Sequence, residues 1–170
     1  MMCQNSLCPL HKQANNGAAR NVKASQACID LIKRFTILHF NSHRTERGWT
    51  IGYDHYSSRE AGTVYPNMVI DEREADRLLA LDIRQIEYCV NDSVLVRLCQ
   101  NQFDALVSYI KSTGTDAFLA SDLLRKLNGK DQDAAAMELI KNINDHHSEH
   151  DALVRRRYAE LKLFINEPAP

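Results

Sequence analysis

The sequence has little of what marks the more specialised protein classes. Its 170 residues include no apolar run near the ~20 residues that a membrane span needs. The opening stretch, MMCQNSLCPLHKQANNGAARN, has no apolar core long enough for a secretory signal, so synthesis in the cytoplasm is the expectation. Charge of one sign is also lacking. Twenty-one Lys and Arg against 22 Asp and Glu give a formal net charge of -1, which leaves no global field for holding nucleic acid or an anionic wall. Tryptophan occurs once, at Trp49, and the five cysteines (Cys3, Cys8, Cys28, Cys89, Cys99) are an odd number. Without a secretion signal, that argues against a disulfide framework.

What is present suits one globular domain: 44% hydrophobic and 25% charged residues. Residues 1–23 are polar and aperiodic and read as a flexible arm, residues 24–165 as the folded domain, and 166–170 as a tail. Ala27, Ile29, Leu31, Ile32 and Phe35 recur at helical spacing behind a capping Ser25. GWTIGYDHYS, rich in β-formers and punctuated by glycine, reads as a short strand or hairpin, and Ser57 to Asn67 as loop or edge strand. Asp71 and Glu74 make a capping-box-like pair before a long helix whose Ala75, Leu79, Ile83, Ile86 and Val90 share a face. Further helices carry Phe103 to Ile110, stopping near Gly114, then Leu123 to Leu127, Ala134 to Ile143, and Ala152 to Phe164. One small sheet followed by helices makes an α+β fold, mostly helical.

Five segments, in order, carry a resemblance. They are IDLIKRF, GWTIGYDH, IDEREADRLLALDI, CQNQFDALVSYI with Gly114 and FLASDLLRKLNGKD, and ALVRRRYAELKLF. Together they resemble the phage-type lysozymes (endolysins, glycoside hydrolase family 24, of the lysozyme-like superfamily) from about Ile29 to Phe164. The resemblance implies a lysozyme-like fold with a small β-hairpin lobe and a C-terminal helical lobe, encoded by a phage or prophage of a bacterial host.

The departures from the family pattern fall on the chemistry. The family's first helix ends in a Phe-Glu-Gly-Leu step whose Glu is the general acid; here the step reads Phe35-Thr36-Ile37-Leu38. The family's Asp, six residues before the β-lobe Thr, falls on Arg44 counted back from Thr50 and on Thr45 counted forward from Phe35. Neither is acidic. Thr50 keeps the third family position, while the second Gly of Gly-Tyr-Gly-His is Asp54 and the Asn ahead of Gly114 is Ser112. Glycoside hydrolysis by this route takes two carboxyl groups, and general acid catalysis alone contributes ~10²–10⁴-fold. A threonine hydroxyl does not protonate a glycosidic oxygen near neutral pH.

The expectation is therefore a lysozyme-fold protein that binds rather than cuts. Glu46 and Asp54, on either side of Thr50, are the possible substitute carboxylates of an active muramidase, against the plainer reading of solvated loop residues. Ile37, His39 and Phe40, with Trp49, Ser112 and Phe118, form the expected binding surface, for an unidentified protein partner or for peptidoglycan glycan. Ile37 and His39 stand where the family has Gly and Arg at the cleft edge; core packing explains Phe35 and Leu38, while Ile37 and Phe40 fit an exposed apolar contact surface equally well. No cofactor and no metal are expected. Cys3, Cys8 and His11 form half of a zinc pattern without a second half, and incidental thiols in a loose arm explain them. His146, His147 and His150 fit a polar turn before the last helix, with Asp151 capping it, better than a metal pair. Arg155, Arg156 and Arg157 lack interleaved aromatics and read as a helix face pairing with carboxylates, not as a nucleic-acid patch.

Overall fold

The computed structural model describes residues 21–57, 62–141, 143 and 150–165. Among them the order is α1 (Gln26–Phe35), β1 (His39–Thr45), β2 (Gly48–Gly52), β3 (His55–Tyr56), α2 (Glu72–Ser93), α3 (Gln100–Thr113), α4 (Thr115–Leu119), α5 (Asp122–Asn128), α6 (Gln132–Glu138) and α7 (His150–Phe164). The fold is α+β and mostly helical, as expected from the sequence. The Cys3/Cys8/His11 group and the His146/His147 turn lie outside the described residues, as does the His150 side chain.

The small lobe is one three-stranded antiparallel sheet in the order β1-β2-β3. β1 pairs with β2 through His43↔Thr50, Arg44↔Trp49 and Thr45↔Gly48, and an irregularity separates this register from His39↔Gly52. Across that bulge the strand turns its other edge to a later segment. Asn41 bridges Val69, Ser42 N–H donates to the Met68 carbonyl, and Ile70 N–H donates to the Phe40 carbonyl. Gly52 (φ 64°) and Asp54 (φ 54°) carry the left-handed conformations that turn β2 into β3.

α2 spans 22 residues, about 33 Å at 1.5 Å per residue, and joins the lobes. Asp71 accepts from Glu74 N–H at 2.8 Å, so the start signal read from sequence is a real cap. Its apolar stripe, Ala75, Leu79, Ile83, Ile86 and Val90, is buried. α3 is the centre of the large lobe, with Phe103, Ala105, Leu106, Val107 and Ile110 buried among α1, α2 and α7. It stops where Gly114 takes φ 94°.

Four expectations need correction. Ser25 stands at the N-cap position of α1, but its hydroxyl makes no cap and instead donates to buried Asp104. Residues 22 and 23 are not loose: Val22 N–H donates to Asn91, and the Lys23 ammonium pairs with Glu87 at 2.9 Å. Helix α6 ends at Glu138, well short of Ile143. Phe118 is also misplaced by the sequence reading. It lies fully buried in the core on α4, an element that periodicity did not reveal. Burying a side chain of that size leaves a large cavity on truncation. Phe118→Ala should therefore lower the free energy of urea unfolding by about 3–5 kcal/mol, whereas Ile37→Ala, at a position 75% exposed, should leave the midpoint unchanged.

Candidate functional site

The site lies where the end of α1, the sheet and α3 converge, and its residues follow from those elements. Thr36 is the C-cap of α1, extended and only 8% exposed. Its Oγ accepts from Arg156 Nη1 at 3.3 Å. The rest of that guanidinium is held on α3 and α7: Nε donates to Glu160 at 3.0 Å and Nη2 to the Ser108 carbonyl at 2.7 Å. Arg157 pairs with the other oxygen of Glu160 and donates to the Ser112 hydroxyl at 2.6 Å, with its guanidinium 4.4 Å from the centre of the Tyr109 ring. Ser108 completes the set by donating to Glu160 at 2.6 Å. Two buried guanidinium groups thus share one fully buried carboxylate. The expectation that these arginines pair with carboxylates holds, but they point inward toward Thr36 and Ser112, and not along an outer helix face.

Thr45, Glu46, Arg47, Thr50, Asp54, Tyr56, Lys111 and Ser112 line a cleft of about 380 Å³ between sheet and α3. The structure therefore gathers Thr45, Thr50, Ser112 and both candidate carboxylates into one hollow. Thr36 and Ile37 instead line a separate groove between α1 and α7. Arg44 is exposed on β1 opposite Trp49. Phe40 is exposed, and His39 is half-buried with its ring 4.1 Å from that of His43. Trp49 is half-buried against the core, which leaves only part of its ring for a ligand.

Three cleft features were not visible in the sequence. Thr50 Oγ lies 3.2 Å from His43 Nε2, so the retained threonine is already engaged, while His43 Nδ1 is buried without a partner among the described residues. The register of β1 against β2 creates that pair, and it appears only once the bulge is known. Lys111 lies in the last turn of α3. Its ammonium donates to the Tyr53 carbonyl at 2.8 Å and the Asp54 carbonyl at 3.1 Å and lies 3.4 Å from Asp82. Burial pushes its pKa down, opposed by the Asp82 and Asp54 carboxylates. Asp82 also bonds His55 Nδ1 at 2.8 Å. Together with Arg47, which donates to the Thr113 carbonyl at 3.3 Å, these contacts draw the sheet onto α3.

The phage lysozyme family model matches residues 38–160. This chain belongs to the phage lysozyme family. It is 38% identical over 144 residues to the endolysin of Bacillus phage B103, an alignment covering 83% of this chain. It spans about half of that relative, 53% of its length. It is 34% identical to the endolysin of Acyrthosiphon pisum secondary endosymbiont phage 1, covering 82% of this chain and 96% of that protein. In three dimensions it is similar to the muramidase domain of SpmX from Asticaccaulis excentricus, at 34% identity and a TM-score of 0.72, covering 84% and 97% of the two chains.

Among the described residues no group of three or more His, Cys, Asp or Glu side chains could hold a metal, and no helix is long and apolar enough to cross a membrane. Cys28 is buried beside Asp104 and its thiol is pushed far above the ordinary range, chiefly by burial, so it is no nucleophile. The cleft offers hydrogen bonding and two exposed carboxylates, and behind it lies a shielded cationic cluster. The last of these is testable through its one acid. Glu160→Gln removes the one carboxylate that, among the described residues, pairs with both buried arginines, and breaking such a buried pair costs about 3–5 kcal/mol. Chemical denaturation should show a loss of that size, while Asp122→Asn, which breaks the exposed pair with Arg125, should leave the midpoint in place.

Proposed function

We propose that this phage lysozyme family chain works by binding and not by hydrolysis, with a protein partner favoured over peptidoglycan glycan. The observation that carries the reading is Thr36. At the end of α1, where the family pattern has its general acid, a buried hydroxyl accepts from Arg156. That guanidinium is already matched by Glu160, so nothing at this position offers a proton to a glycosidic oxygen. A protein partner is supported by the exposed Ile37 and Phe40, apolar anchors of the kind that dominate protein interfaces. Glycan is less favoured because the cleft, at about 380 Å³ and bridged by Lys111 and Arg47, is at the small end of ligand pockets.

One observation favours a second reading. Glu46 and Asp54 line the same hollow as Thr50, so a rearranged carboxylate pair for a muramidase-type hydrolase is at least gathered in one place. Turbidity of chloroform-treated Gram-negative cells, followed from acid to mildly basic pH beside an active endolysin, separates the two. The expected result is no clearing above buffer. Clearing that disappears in Glu46→Gln or Asp54→Asn would establish the second reading in place of the first.

A further inference from the structure

Helices α1 and α7 leave between them an open groove of about 830 Å³, more than twice the volume of the cleft, with Thr36 and Ile37 in its lining. Leu31, Phe35 and Leu163 give it an apolar floor. Its charged lining is of one sign, Arg34, Arg155 and Lys162, with no carboxylate among the described lining residues. We infer that this groove docks an acidic amphipathic helix of a partner protein, one that carries carboxylates two turns apart beside an apolar stripe. The inference names the partner class for the binding reading above and rests on it.

The shape and the charge together select that occupant. An open apolar groove between two helices is the form that receives the apolar face of a third, read through anchors at helical spacing. Arg155 and Lys162 are seven residues apart on α7, so they project from one face about 10.5 Å apart along the axis. Carboxylates at i and i+7 of a docked helix have the same spacing. Behind Thr36, at the end of the groove, Arg156 and Arg157 share Glu160, so among the described residues this cluster sets two cations against one directly paired acid beneath the groove's positive rim. Ile37 extends the apolar lining outward from the same end. Occupation by the chain's own N-terminal arm is disfavoured by sign, because residues 1–20 contain Lys12 and Arg20 and no acidic residue. A bilayer surface is disfavoured by shape, since a trough walled by two helices presents its apolar atoms inward.

The test uses the full chain and a synthetic 16-residue helical peptide with leucines on one face and glutamates at i and i+7, labelled for fluorescence anisotropy. Saturable binding is expected, at least tenfold tighter than for the same peptide with lysine in place of glutamate or with its residues shuffled. Leu31→Asp should abolish it. Because a charge on α1 threatens folding, the decisive variant is the surface double Arg155→Glu/Lys162→Glu, with thermal unfolding as the control. It should reverse the preference, favouring the lysine peptide. Equal affinity for the three peptides, or a preference that the double variant leaves unreversed, overturns the inference. So does tighter, Arg155- and Lys162-dependent binding to phosphatidylglycerol vesicles, or a dimer in sizing that these substitutions dissociate. Wall clearing in the turbidity assay would remove the binding reading without touching these affinities, and failure of the peptide would remove the groove's role while leaving the absence of clearing intact.

Discussion

One buried carboxylate organises the large lobe. Glu160, on α7 and fully buried, accepts from Arg156, Arg157 and Ser108, and through them α7 is joined to α3 and to the end of α1. Moving charges out of water is costly, and such a cluster persists only when its hydrogen bonds are met with good geometry. Here each guanidinium also has neutral acceptors: the Ser108 carbonyl and Thr36 hydroxyl for Arg156, and the Ser112 hydroxyl for Arg157. The start of α1 is fixed in the same manner. Asp104 holds Ser25, and Glu87 holds Ala24 and Lys23, so two buried acids from α3 and α2 anchor the chain where it enters the helix. α1 is thus held at both ends by buried charge, and its last residue delivers position 36 to the site.

That arrangement bears on function through what position 36 does not carry. A carboxylic acid there would pair with Arg156 and contribute the proton that glycoside cleavage needs. A threonine leaves the same guanidinium hydrogen-bonded and the fold intact, but with no proton to give. Contacts between the sheet and α3 draw the two lobes together. Lys111 clamps the Tyr53–Asp54 turn, and Asp54 itself stands where the resemblance has glycine. Ile37 is exposed at the edge of a large groove with a cationic rim. The absence of an acid at position 36, the small bridged cleft and the exposed apolar surface are physically separate features, and the proposal of binding rests on all three.

Most of the fold could be read from the sequence because it depends on local signals. Helical spacing located α1, α2, α3, α5 and α7, the Asp71–Glu74 pair marked a true cap, and Gly114 marked a true stop. What escaped depends on tertiary contacts. β1, with its bulge, exists because Asn41 and Ser42 find Val69 and Met68 across a loop, and HFNSHRT has no strict alternation to announce it. α4 is five residues long, too short for periodicity to show, so the sequence alone does not mark Phe118 as a core residue. At the site, Thr36 and Thr50 were marked by the family resemblance, and Glu46 and Asp54 by their places on either side of Thr50. The His43–Thr50 contact required the strand register, and the inward turn of Arg156 and Arg157 required knowing that α7 packs on α3. In the sequence Lys111 is only a charged residue directly after an apolar Ile110, and its closest partners are backbone carbonyls that no side-chain pattern encodes.

The central claim is that the chain does not cut glycan. The most direct measurement incubates purified peptidoglycan sacculi with stoichiometric protein and analyses the soluble fraction by mass spectrometry for newly formed glycan ends. The account predicts none above a buffer control, even with one protein per potential cleavage site, because no acid stands at position 36. Soluble muropeptides appearing in proportion to the protein added would contradict it.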